Sequence, residues 1–236
     1  DCLKLNVWTN GIADGKKRPV LVWLHGGGFT NGNGIEQDGY HGENFAKGKD
    51  VVFVSINHRL GPIGFTDLSG VGGDKYAHSG NVSMLDIIAS LHWVRDNIAN
   101  FGGDPGNVTI MGQSGGGAKV TATMAMPASK GLVHKGVALS GSMLTANDQE
   151  FSRKLGQYVV EAAGLTPDSI DKLHDIPWRE YLTIANKAMD RMRKEFPQPG
   201  FRGGFGPVAD GVNIPKGEFF SNPNSHDSEM PLMICT

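Results

Sequence analysis

The stretch Asn107-Val108-Thr109-Ile110-Met111-Gly112-Gln113-Ser114-Gly115-Gly116-Gly117 constrains this chain more than any other. Its β-branched first half reads as a strand, bounded upstream by the turn-forming Gly102-Gly103-Asp104-Pro105-Gly106. After Ser114 the pattern changes to small residues and good helix formers over 118–125, and Pro127 stops the helix. A strand, a one-residue corner and a helix put a hydroxyl on a tight bend, with glycines letting the two elements approach without Cβ clashes. The helix N-terminus then aims free N–H groups and a positive dipole end at that hydroxyl. With 34 glycines in 236 residues, a Gly-x-Ser-x-Gly pattern arises by chance about 0.3 times. The flanking strand and helix, rather than the pattern, make Ser114 a candidate nucleophile.

A second glycine cluster, His25-Gly26-Gly27-Gly28-Phe29, follows the continuous apolar run Val20-Leu21-Val22-Trp23-Leu24. Such a run suits a parallel strand covered on both faces. The glycines then leave bare backbone at the strand's C-terminal edge, where open α/β sheets bind ligands. N–H groups of Gly27, Gly28 and Gly115 are the candidate donors to a tetrahedral oxyanion, each worth about 3 kcal/mol of transition-state stabilisation. Together with Ser114 they point to acyl transfer.

The rest of the chain alternates strands with helices. Strands are expected at 3–8, 19–25, 51–56, 108–112, 135–139 and 231–235, the first antiparallel at the sheet margin. Helices are expected at 84–101, 149–163, 168–175 and 178–194. Met84, Ile87, Ile88, Leu91, Val94, Ile98 and Phe101 recur at spacings of three and four, a core-facing stripe that Trp93 flanks. Trp178, Tyr181, Leu182, Ala185, Met189 and Met192 form a second apolar set, expected to be core or lid packing. The run 187–195 mixes charges at helical spacing, Asp190 with Lys194 and Arg191 with Glu195, as on a solvated helix face. The fold expected is α/β, a mostly parallel sheet flanked by helices in one domain.

Composition narrows the partners. Net charge is −2 with scattered basic residues, so no nucleic-acid surface is expected. No apolar stretch approaches the roughly 18 residues needed to span a bilayer. No HxH or HExxH occurs, and Gly48-Lys49 has Glu43 where a phosphate loop needs glycine, so neither metal nor nucleotide cofactor is expected. Cys2 and Cys235 lack metal-ligand spacing. Asn81 and Asn107 stand in glycosylation sequons but read as structural.

The motifs taken in order resemble the type-B carboxylesterase branch of the α/β-hydrolases, which also holds cholinesterases and neuroligin adhesion proteins. They are Asp1 to Trp8, the His25 loop, Asn57-His58-Arg59-Leu60-Gly61-Pro62-Ile63-Gly64-Phe65, and Gly80-Asn81 with Asp86. Trp93-Val94, Asn97-Ile98, Phe101-Gly102-Gly103-Asp104-Pro105, the serine motif and Pro207-Val208-Ala209-Asp210-Gly211 complete the series. The stretch 145–200 matches mainly in helical pattern. The resemblance implies an α/β-hydrolase fold incomplete at both ends and a small carboxylic ester as substrate. It implies Ser114 as nucleophile, oxyanion donors at Gly27, Gly28 and Gly115, and Arg59 paired with Asp86. It also implies that Cys2 bonds to a cysteine upstream, and that Phe201-Arg202-Gly203-Gly204-Phe205 lines an acyl pocket.

Two departures stand out. The family commonly has Glu before the nucleophile and Ala after it, where this chain has Gln113 and Gly115. The triad acid and histidine of the family are expected beyond Thr236, so residues 1–236 alone are expected to be nearly inactive and poorly soluble. Asp210 followed by His226 is an alternative pair in the required order Ser, acid, His. A non-catalytic adhesion relative and a hormone-sensitive-lipase-like esterase share parts of the pattern. Source, compartment and oligomeric state are not encoded in these motifs.

Overall fold

The computed structural model describes residues 2–196, 204–222 and 226–236, apart from the side chain of Asp227. Six strands form one sheet: β1 Leu5–Trp8, β2 Arg18–Leu24, β3 Val52–Ile56, β4 Gly103–Gln113, β5 Lys135–Leu139 and β6 Leu232–Cys235. Their spatial order is β1-β3-β2-β4-β5-β6. β1 runs antiparallel to β3, and every other neighbouring pair is parallel. The helices are α1 Glu43–Lys49, α2 Gly61–Phe65, α3 Ser69–Gly72, α4 Val82–Asn97, α5 Gly115–Ala125, α6 Gln149–Ala162, α7 Trp178–Glu195 and α8 His226–Glu229.

The apolar runs become the strands buried on both faces. All five residues of β3 are buried, and β2 and β4 align Val22 with Ile110 and Leu24 with Gly112. The stripe of α4 packs on this sheet, with Met84, Ile87, Leu91, Val94 and Ile98 essentially without exposure. Trp93 flanks it against Phe101, ring centroids 5.8 Å apart. A second core joins α6 to α7 through Leu155, Tyr158, Val159, Ile184, Ala185, Ala188, Met189 and Met192.

Several expectations shift. The strand expected at 108–112 spans Gly103–Gln113, because Gly103 pairs with Arg18 across a register irregularity. The α-helix expected through 101 turns into a 3-10 helix at Ile98–Phe101, and Gly102 ends it with φ 72°. The segment Pro167–Asp175 is 3-10 rather than α-helical. Trp178 is 57% exposed with the Arg179 guanidinium over its ring, so it is not core packing. Arg191 pairs with Glu195 as expected, whereas Asp190 meets Arg193 instead of Lys194.

Arg59 and Asp86 join the loop after β3 to α4. Nε and Nη2 of Arg59 donate to the two carboxylate oxygens at 2.9 and 2.7 Å, and its backbone N–H adds a third bond at 3.0 Å. Asp86 is almost wholly buried. The carboxylate raises the Arg59 pKa against the opposing effect of burial.

Candidate active site

Ser114 stands between β4 and α5 with φ 58° and ψ −121°, a conformation that non-glycine residues rarely hold. The surroundings impose it. Its N–H donates to the Leu139 carbonyl of β5 at 2.8 Å, and its carbonyl accepts from Ala118 at 3.2 Å. A Cβ on Gly116 would sit 2.1 Å from the Leu24 carbonyl oxygen, so α5 approaches β2 only because residue 116 has no side chain. The Ser114 side chain is exposed.

The glycine loop begins where β2 ends. Gly27 and Gly28 have φ 82° and 61°, and the Gly27 carbonyl accepts N–H groups from Thr30 and Asn31 at 3.3 and 3.2 Å. This turn leaves the N–H groups of Gly27 and Gly28 without an acceptor among the described residues. A Cβ on Gly115 would lie 2.3 Å from Gly28 Cα and 2.4 Å from Gly28 N. Gly28 and Gly115 therefore meet next to Ser114, with Gly27 preceding Gly28 in the loop. A backbone of this kind suits a developing negative charge on a substrate oxygen.

His25 opens the loop and is fully buried. Its Nδ1 lies 2.9 Å from the Gly26 carbonyl, a local bond. The ring stacks on that of His58, centroids 5.0 Å apart and planes at 14°. Burial, reinforced by the nearby Lys119 charge, lowers the His25 pKa to about 4. The same two causes hold His58 well below its ordinary value. Both imidazoles favour the neutral form, and among the described residues neither hydrogen-bonds Ser114; each bonds through Nδ1 and leaves Nε2 buried without a partner.

Asp210 and His226 are not brought together. The Asp210 carboxylate accepts N–H groups from Val212, Asn213 and Ile214 and the Asn81 side-chain amide, which organises a turn. Burial alone would raise its pKa, but these donors together hold it below the usual value. His226 instead contacts the Met126 carbonyl at 3.1 Å and Ser129 Oγ at 3.3 Å. Asn81 is buried and bonded to Val208 through both side-chain ends, a structural asparagine.

A cleft of about 860 Å3 opens beside the loop, lined by Phe29, Met143, Asn147, Trp178, Met189 and Phe205 among others. Phe29 links it to the glycine run, whereas Ser114 itself is not part of the lining. Gly204 and Phe205 line this cleft, and Phe201, Arg202 and Gly203 lie outside the described residues. Among the described residues no group of three or more His, Cys, Asp or Glu could hold a metal ion, and no helix is long and apolar enough to cross a membrane.

The carboxylesterase family model matches residues 1–236. The chain belongs to the carboxylesterase family. It is 37% identical to the para-nitrobenzyl esterase of Bacillus subtilis over 236 residues, covering all of this chain and 46% of that protein. It is 36% identical to the phenmedipham hydrolase of Pseudarthrobacter oxydans, covering 92% of this chain and 41% of that one. The structure of a carboxylesterase from Geobacillus stearothermophilus superposes with a TM-score of 0.79 at 37% identity, covering 98% of this chain and 48% of that one. The chain thus spans about half the length of the carboxylesterases it matches, and its mostly parallel sheet is the α/β-hydrolase fold.

Sequence reasoning missed two residues that pack around Ser114 and the glycine loop. Leu139 holds the serine's N–H from a strand 25 residues downstream, which no local motif signals. Lys119 lies under the loop with no exposure, whereas a lysine in a helix reads as solvated.

Proposed function

We propose that the full-length protein is a serine carboxylic ester hydrolase acting through an acyl-enzyme on Ser114. The contact of Gly115 with Gly28 beside a serine at φ 58° carries this reading. Ser114 Oγ attacks the ester carbonyl and loses its proton to a histidine, which returns it to the departing alcohol. Water then adds to the acyl-enzyme, and the acid leaves as Ser114 regains its proton. N–H groups of Gly27, Gly28 and Gly115 hold both tetrahedral oxyanions. The histidine and its acidic partner are assigned to chain beyond Thr236, since no histidine among the described residues hydrogen-bonds the Ser114 side chain. No cofactor enters the scheme.

Loss of p-nitrophenyl ester hydrolysis in Ser114→Ala full-length protein supports this reading, and wild-type turnover in that variant contradicts it. The acyl group is assigned to the cleft bordered by Phe29, Gly204 and Phe205, whose volume of about 860 Å3 leaves room for chains longer than acetyl. Comparable kcat/KM for acetyl, butyryl and octanoyl esters fits this assignment, and a sharp preference for acetyl overturns it.

A further inference from the structure

Lys119 has no exposed surface, and its Nζ donates to the His25 carbonyl at 2.8 Å. The same Nζ stands 5.9 Å from the centre of the Phe29 ring. It therefore touches both residues that flank Gly26-Gly27-Gly28. Glu36, the carboxylate whose field favours the ammonium form, is itself exposed and accepts the Asn33 N–H. No carboxylate forms an ion pair with Lys119 among the described residues. Burial accordingly pulls its pKa down to about 7.

An uncompensated buried amine lowers stability, and an apolar side chain of similar length would relieve that cost. Its directed bond nevertheless ends on the glycine loop. We propose that Lys119 is a positioning residue that clamps the oxyanion loop to the helix bearing the nucleophile. α5 presents Ser114 at its N-terminus and Lys119 one turn further on, so one rigid element fixes both partners of the reacting centre. Released from Nζ, a run of three glycines shifts easily, and small displacements of oxyanion donors are expensive in rate. The amine and the ammonium both keep an N–H for the His25 carbonyl, so the clamp survives titration. This inference rests on the oxyanion role of Gly27 and Gly28.

The test compares full-length wild type with Lys119→Met by fluorophosphonate labelling, p-nitrophenyl butyrate kinetics and thermal unfolding. Failure of wild type to label overturns the esterase reading itself, whatever Lys119 does. Given labelling, Lys119→Met is expected to lose about 10²-fold in kcat with KM little changed. Its Tm is expected to equal or exceed that of wild type. Wild-type kcat in the variant overturns the proposal. So does a lowered Tm or failure to fold, which would make Lys119 a stabilising residue instead.

Discussion

Gly115 and Gly28 lie so close that a Cβ on Gly115 would stand 2.3 Å from Gly28 Cα and 2.7 Å from its carbonyl oxygen. Real Cβ atoms do not approach backbone this closely, so an alanine at 115 must move the loop or the elbow. The residue after Ser114 thus sets how near the two can come. Gly115→Ala in the full-length protein is expected to lower kcat about tenfold or more while KM changes little, because the N–H at 115 survives and its distance from those of Gly27 and Gly28 does not. Steady-state kinetics with one p-nitrophenyl ester checks this, and an unchanged kcat would show that the loop adapts freely.

The Arg59–Asp86 pair supports the fold unequally from its two ends. Arg59→Ala leaves a buried carboxylate with only a backbone donor, whereas Asp86→Ala leaves a cation that is about one-third exposed. Arg59→Ala is expected to cost about 3 kcal/mol or more, and Asp86→Ala less. Urea unfolding of both variants measures the difference, and equal, negligible costs would remove the pair from the account.

Acid should destabilise the protein through the buried imidazoles. The His25 pKa falls from 6.5 to about 4 on folding, so between those values the unfolded chain takes up a proton that the folded one refuses. Stability is therefore full above pH 6.5 and is lost as pH drops toward 4, by about 3 kcal/mol for this group. His58 acts in the same direction. Urea midpoints from pH 7 to 4.5 should fall steeply in wild type and less so in His25→Gln; parallel slopes would contradict the assignment.

Much of this fold is legible because its central strands are apolar runs bounded by glycine and proline. Residues 135–139 form β5 as read, and the stripe of α4 is visible at its spacing of three and four. The short helices α1, α2 and α3 escape notice because seven, five and four residues display too little periodicity. The site divides in the same way. Ser114, Gly27, Gly28 and Gly115 sit in local motifs whose geometry follows from strand, turn and helix. Lys119 does not, because its burial depends on β2, the His58 loop and α5 meeting in three dimensions. Leu139 is likewise supplied by a neighbouring strand, and nothing near Ser114 in sequence specifies it.

The most direct test of the account is to treat full-length protein with a fluorophosphonate and map the modified peptide by mass spectrometry. One stoichiometric adduct on Ser114 is expected, absent from Ser114→Ala and formed together with complete loss of ester turnover. An enzyme that keeps its activity while Ser114 is modified, or that carries the adduct on another residue, would contradict it.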